Sequence, residues 1–161
     1  MPDQISDQTF VYVTYIRTSP EKLWQALIDP EFTRLYWAGC WQQSTWEPGA
    51  EWSLNIPDGR VGDSGRVLEI DKPRRLVLEW RNEFKPELRA EGYSRCVFEL
   101  EASKGESEEM VKLTVTHSMP HGQSMFITAV SNGWPIILSS LKSLLETGQS
   151  LESTRKWSKG M

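Results

Sequence analysis

The chain opens with an apolar, extended segment at 10–16 and then changes to two short helical patterns. Ser19 can cap a first helix that begins at Pro20, and Asp29 can cap a second that begins at Pro30. A cap oxygen accepts from the unpaired amides of the first turn, and proline loses no needed donor there. Helices of about two or three turns are not stable alone in water. This pair therefore has to pack on a larger body.

The middle of the chain alternates apolar and polar residues in short runs that are separated by turn residues. This pattern predicts an antiparallel meander with strands at 40–46, 51–56, 65–71, 75–81, 93–102 and 109–117. The glycine-rich residues 59–65 lack the setting of a phosphate loop and are expected to form a flexible hairpin.

Alternation also assigns the two faces of these strands. Glu79 and Lys112 should point to water. The predicted inward residues are Trp52, Leu54, Leu76, Leu78, Trp80, Cys96, Phe98, Leu100, Val111, Leu113, Val115 and His117, with Phe10, Tyr12 and Ile16 from the opening strand.

From about Gly122 the apolar period becomes helical. One stripe contains Phe126, Val130, Trp134, Ile137 or Leu138, Leu141 and Leu145, which predicts a long helix that ends at Gly148. Residues 149–161 show no apolar period. We therefore expect a single domain over 1–148 and a mobile tail over 149–161.

This element order predicts an α+β fold in which a curved antiparallel sheet of about six or seven strands wraps around the long helix. The two short helices after the first strand would close one end of the sheet. Such an arrangement leaves an apolar space between helix and sheet.

Composition narrows the classes of partner. The chain has 161 residues and a net charge of −4, with no concentrated basic face for nucleic acid or an anionic membrane. No apolar run could insert into a bilayer, and the first eight residues lack the core of a signal peptide. Cys40 and Cys96 have neither metal-ligand nor redox spacing. We expect a cytoplasmic protein that needs no cofactor or metal.

Four segments carry a family resemblance. They are SPEKLWQAL at 19–27 followed by Asp29-Pro30 and Trp37, PGAEW at 48–52, GRVLEI at 65–70 with Pro73 and RLV at 75–77, and GWP at 133–135. Together they resemble the START-like superfamily, also called SRPBCC. Within it, the chain is most similar to bacterial proteins related to the C-terminal domain of the heat-shock-protein-90 ATPase activator. The resemblance covers nearly the whole chain and implies a helix-grip fold with an internal cavity.

Eight tryptophans are the unusual feature of the composition. Trp24 and Trp134 lie on helix faces that must contact the sheet, so we expect them in the core. Trp37, Trp52 and Trp80 could either fill the core or line a pocket.

The candidate ligand-binding residues combine aromatic contact area with a few polar groups. They are Tyr12, Trp37, Trp52, Trp80, His117, Phe126 and Val130. We interpret His117 as a hydrogen-bonded group at the cavity wall rather than a catalytic base. His117 and His121 lie four residues apart, but Pro120 argues against the helix that such a metal pair would need.

Three functions remain open at this level. The first is binding of a small hydrophobic or aromatic molecule in the cavity, and it is the preferred hypothesis. The second is a module that binds a chaperone, which the resemblance alone implies. The third is a cyclase or hydrolase that uses His117 in the same cavity. No catalytic signature appears in the sequence to support the third.

Overall fold

The computed structural model of the protein describes residues 7–104 and 108–157. Its strands are β1 Gln8–Ile16, β2 Trp41–Ser44, β3 Glu51–Asn55, β4 Val61–Asp71, β5 Arg75–Asn82, β6 Ser94–Lys104 and β7 Glu109–Met119. Its helices are α1 Pro20–Ile28, α2 Pro30–Tyr36, α3 Pro86–Arg89 and α4 Met125–Thr147, and a 3₁₀ turn follows at Glu152–Thr154.

The strands form one antiparallel sheet in the order β1-β7-β6-β5-β4-β3-β2. Strands β2 to β7 pair with their neighbours in sequence, and β1 joins the free side of β7. Helix α4 packs across the curved sheet against β1 and β7, and α2 packs against α4. The predicted helix-grip fold with six or seven strands is therefore confirmed, and the sheet has seven.

The predicted helix ends are also confirmed. The Ser19 hydroxyl accepts from the Lys22 amide at 3.2 Å, and the Asp29 carboxylate accepts from the Glu31 amide at 2.9 Å. Helix α4 ends at Gly148, whose φ of +83° is a left-handed conformation that glycine adopts without strain. These local signals fix where the short helices turn back toward the sheet.

The predicted inward face of the meander is buried as expected. All twelve inward residues assigned to strands β3 to β7 are at most 5% exposed. On β1, Ile16 is fully buried, whereas Phe10 and Tyr12 are half-buried because β1 is an edge strand. On α4, Phe126, Trp134, Leu138 and Leu141 are buried, and Val130 and Ile137 are half-buried.

One prediction about the glycine-rich segment is wrong. Strand β4 begins at Val61 rather than Gly65, so most of the expected flexible hairpin is strand. The turn itself is shorter and sits at Gly59, whose φ is +94°. Gly65 is needed for another reason: a Cβ there would lie 1.6 Å from the carbonyl oxygen of Glu79. The glycine allows β4 to approach β5 closely.

Helix α3 was not predicted from the sequence. The Asn82 side chain accepts from the amides of Phe84 and Lys85, at 3.0 and 2.8 Å, and turns the chain after β5. Pro86 then starts a single helical turn that buries Leu88. A turn this short leaves no apolar period in the sequence.

The segment after α4 contacts the domain as far as the structure describes it, to residue 157. Ser140 and Thr154 share a buried hydrogen bond of 2.6 Å, and the Ala38 amide donates to the Thr154 carbonyl at 2.6 Å. These contacts join Thr154 to α4 and to the loop after α2, and the mobility of residues 149–161 stays a prediction. Residues 158–161 lie outside the described residues.

Candidate functional site

A cavity of about 510 Å³ opens to the surface between the N-terminal half of α4, the end of α2 and strands β3 to β5. This volume lies within the usual range of small-molecule pockets, about 300–1,000 Å³. Its wall is mostly apolar, and its rim includes Phe84, Lys85, Ile136 and Trp157. The space between helix and sheet that the element order predicts is present at this end of the fold.

Three tryptophans from three different elements form the inner wall. Trp37 ends α2, Trp80 lies on β5 and Trp134 lies on α4, and their ring centroids are 5.3–6.0 Å apart. Phe126 and Val130 of α4 continue the wall. We call Trp37, Trp80, Trp134, Phe126 and Val130 the aromatic wall.

A second hollow of about 780 Å³ lies over strands β2 to β4. It is lined largely by exposed or half-buried polar side chains, among them Ser44, Glu51, Ser64 and Arg66. A hollow with a polar lining cannot bury an apolar ligand as favourably as the aromatic wall can. The smaller cavity is therefore the better candidate site.

His117 lies behind this wall and does not line the cavity. It is fully buried, and its ring centroid lies 5.3 Å from that of Trp80 and 5.1 Å from that of Phe126. Its Nδ1 accepts from the indole N–H of Trp134 at 3.1 Å, and its Nε2 lies 2.8 Å from the Ser94 hydroxyl.

These contacts define the tautomer of His117. An indole N–H only donates, so Nδ1 must carry the lone pair and Nε2 the proton. Nε2–H then donates to Ser94, whose own hydroxyl donates to the Trp80 carbonyl at 2.7 Å. Burial lowers the pKa of His117 to about 3. Both ring nitrogens of His117 already have hydrogen-bond partners, so neither is free to act as the general base of the enzyme hypothesis.

Two other predicted site residues also stand apart from the cavity. The Trp52 ring packs on Trp80 at 4.4 Å and its N–H donates to the Gln42 side chain at 2.9 Å, so Trp52 is a core residue that borders the polar hollow over β2 to β4 and not this cavity. Tyr12 lies on β1 and stacks on Phe10 at 6.5 Å. The structure therefore brings four of the seven candidates to the cavity: Trp37, Trp80, Phe126 and Val130.

Sequence reasoning missed Asp63, an acidic residue in the cavity wall. It lies on β4 opposite Leu54 of β3 and Asn82 of β5, which places it on the inward face. The residue is half-buried because it faces the cavity, yet its Oδ1 is buried and has no hydrogen-bond partner among the described residues. Burial raises the pKa of Asp63 to about 7, against a smaller lowering by hydrogen bonding from the nearby Trp80 and Asn82 side chains, whose approach falls short of standard hydrogen-bond geometry at Oδ1.

Asp63 was missed because the segment around it reads as a hairpin. Gly59, Gly62 and Gly65 surround it, and a glycine-rich run with Asp is typical of turns. The Asp58-Gly59 dipeptide was the available signal. Such a pair closes a tight hairpin, after which the partner strand resumes within two residues and carries Asp63 inward.

The cavity holds no arrangement for metal binding. No group of three or more His, Cys, Asp or Glu that could hold an ion occurs within 7–104 and 108–157.

Cys40 lines the cavity. Burial, and to a smaller extent the nearby Asp63, raises the pKa of its thiol to about 12, so the thiol stays protonated. Across the described residues, no helix is long and apolar enough to cross a bilayer. The site can offer apolar contact, the Asp63 carboxyl group, the Trp80 indole N–H and the side-chain amides of Asn82 and Asn132, with Lys85 at the rim.

The fold and cavity define the class: a helix-grip domain with an aromatic cavity beside its long helix. The sequence model of the family described as activator of Hsp90 ATPase homolog 1-like protein matches residues 17–146. The chain belongs to this family. No curated protein matches its sequence significantly.

Several solved structures share the fold. CalU16 from Micromonospora echinospora is 20% identical, with a TM-score of 0.67 over 88% of this chain and 78% of that one. The Aha1 dimer from Colwellia psychrerythraea is 21% identical, with a TM-score of 0.66 over 89% and 99%. An HSP90 activator from Plasmodium falciparum is 24% identical, with a TM-score of 0.65 over 85% and 95%. At such identities the likeness concerns the fold alone.

Proposed function

We propose that this protein binds a small, mostly apolar molecule in the cavity along the aromatic wall. The observation that carries the proposal is the meeting of Trp37, Trp80 and Trp134 around an open space of about 510 Å³. The likeness to other helix-grip domains agrees with a binding role. The cytoplasmic location stays a prediction, and both described cysteines are free thiols.

Apolar contact alone limits the affinity that such a cavity can give. A ligand that loses roughly 300 Å² of apolar surface gains about 7 kcal/mol at 25 cal/mol per Å². Association costs at least about 4 kcal/mol of that in lost translation and rotation. We therefore expect weak binding for purely apolar molecules and tighter binding where a polar contact is added.

A pair of variants on α4 tests the location. Val130→Phe places a larger side chain in the cavity, whereas Thr128→Phe makes the same kind of change on the exposed side of the helix. Fatty acids, flavonoids and polyketide-like aromatics are screened by ¹H–¹⁵N NMR, following the tryptophan indole resonances. We expect Val130→Phe to weaken binding at least about 10-fold and Thr128→Phe to leave it unchanged.

Two results would contradict the proposal. The first is equal binding to both variants, and the second is a set of shifts confined to the polar hollow over β2 to β4. Either would place the ligand outside the aromatic wall. A screen without any hit would argue for a domain whose aromatic residues serve only the core.

A second function, binding to a chaperone, is supported by membership of the family and by the name of the Plasmodium falciparum structure. The test is the ATPase rate of the host heat-shock protein 90 with and without this protein, together with binding measured by calorimetry. Stimulation and a saturable heat would support this function. An unchanged rate and no heat would exclude it.

A further inference from the structure

Two buried polar atoms in the cavity wall form no hydrogen bond of standard geometry. They are Oδ1 of Asp63 and Nε1 of Trp80, and both residues line the cavity. The Trp80 and Asn82 side chains lie close enough to lower the pKa of Asp63, but neither donates to Oδ1 with good geometry. No other buried side-chain nitrogen or oxygen in 7–104 and 108–157 shares this condition. Burying a polar group without a partner costs free energy, so such atoms normally pair with protein, water or ligand.

Glu83, an acidic residue near Asp63, shows how a carboxylate with a full set of partners is bound in this fold. Glu83 accepts from Ser64 at 2.5 Å and forms ion pairs with Arg81 at 2.7 Å and Arg89 at 2.8 Å. Asp63 has no ion pair among the described residues. Within 7–104 and 108–157, cations therefore pair with the outer carboxylate of Glu83 and none pairs with the Asp63 carboxylate in the cavity.

The surroundings of Asp63 suit a cation. Tryptophan faces attract organic cations through the negative charge density of the ring, and the attraction increases when water is excluded. Trp37, Trp80 and Trp134 supply such rings in the same cavity as the carboxyl group. Rings and carboxylate together form the usual chemistry for an ammonium ion attached to an apolar body.

We propose that the ligand of this cavity carries a protonated amine, which pairs with Asp63 while its apolar body lies along the aromatic wall. This inference rests on the proposed binding function and names the chemical class of the ligand. An alcohol could donate to Asp63 but would not balance its charge. A carboxylic acid would be repelled, and Lys85 at the exposed rim is the cation it could reach instead.

The test compares three probes that share one apolar body: phenylbutylamine, phenylbutanol and phenylbutyrate. Dissociation constants are measured by NMR titration at pH 8 for the wild-type protein, Asp63→Asn and Glu87→Gln. Asp63→Asn keeps the shape of the side chain and removes its charge. Glu87→Gln removes a charge from exposed α3 near the rim and is the matched control.

We expect the wild-type protein to bind the amine at least about 10-fold more tightly than the alcohol and to bind the acid most weakly. Asp63→Asn should lose this preference while its alcohol affinity changes less than about threefold. Glu87→Gln should keep the preference. The Trp80 indole resonance should shift with the amine in the wild-type protein.

The pH dependence gives an independent readout. Amine affinity should rise between pH 5.5 and 8 as Asp63 ionises, and the rise should be absent in Asp63→Asn. The other charged or titratable groups around Asp63 are Cys40, Glu83 with Arg81 and Arg89, and Lys85. The variant retains all of them, so a rise that persists in it would assign the effect to those groups and contradict the proposal.

The outcomes separate this inference from the proposed function. If the alcohol or the acid binds the aromatic wall as tightly as the amine, the amine proposal is wrong and binding in the cavity stands. The amine proposal is also wrong if Asp63→Asn keeps the amine preference. If no probe binds and the wider screen is also negative, both proposals are wrong.

Discussion

His117 and Asp63 are two titratable residues on the inward face of the same sheet, and both lie next to Trp80. His117 has a partner at each ring nitrogen, one from Trp134 and one from Ser94. Asp63 has a buried Oδ1 without a partner among the described residues. The sequence favoured His117 as a site residue and missed Asp63, although only Asp63 lines the cavity.

The difference shows that burial of a polar group does not by itself indicate a binding site. A fully paired network such as that of His117 rigidifies the core and has no capacity left for a ligand. An unpaired group at a cavity has that capacity and lowers stability until it is used. The hydrogen-bond partners of each atom therefore separate structure from function here.

The largest expected effect comes from removing the paired residue. His117→Ala leaves the Trp134 N–H unpaired, removes the donor to the Ser94 oxygen and opens a void, so it should lower the free energy of unfolding by about 3–5 kcal/mol. Urea denaturation measures the change. Thr116→Val on the outward side of β7 should stay within about 0.5 kcal/mol. An equal loss in both variants would mean that the network is not what His117 contributes.

Neutralising Asp63, the unpaired residue, should raise the free energy of unfolding rather than lower it. Asp63 has a pKa of about 7 in the folded protein against 3.8 for the free group, so the folded state holds the proton more tightly and stability falls as pH rises between these values. At about 1.36 kcal/mol per pKa unit, Asp63→Asn should stabilise the protein at pH 8 by up to about 4 kcal/mol relative to wild type. The gain should vanish near pH 4.

Unfolding of wild type and Asp63→Asn at pH 4, 6 and 8 measures this difference, and other titrations cancel in the comparison. Glu51→Gln, which neutralises an exposed carboxylate on β3, should change stability by less than about 0.5 kcal/mol. A destabilised Asp63→Asn at pH 8 would show that the carboxylate has a partner in solution.

A smaller effect is expected from Ser94→Ala. The change removes the acceptor of His117 Nε2–H and the donor to the Trp80 carbonyl, which should cost about 1–3 kcal/mol. Amine affinity should stay within about threefold of wild type, because Ser94 does not line the cavity. If the loss of amine affinity exceeds the loss of stability, the His117 network and the cavity around Asp63 are coupled rather than independent.

The last prediction concerns the protonation state of His117 and involves no change in stability. Long-range ¹H–¹⁵N spectra should show His117 as the neutral Nε2–H tautomer at pH 7 and still neutral at pH 5, because burial lowers its pKa to about 3. A spectrum with the proton on Nδ1 would contradict the hydrogen bond from Trp134.

Much of the fold could be predicted because its signals are local. Caps at Ser19 and Asp29, the alternation of the meander and the stripe of α4 each depend on neighbours within a few residues. The predicted start of β4 was wrong because the glycines around Asp63 are compatible either with a loop or with a close approach between strands. At Gly65 the second applies, and only the position of Glu79 on β5 shows it.

The sequence by itself determined the helix-grip order, the inward face of the sheet and an aromatic interior, since periodicity and capping are properties of the chain. Tertiary structure alone decided which interior residues face the cavity. Trp37, Trp80 and Trp134 come from distant parts of the chain, as do Ser94, His117 and Asp63. Whether a buried polar atom finds a partner depends on such distant contacts, and here that distinguishes a core histidine from a candidate ligand anchor.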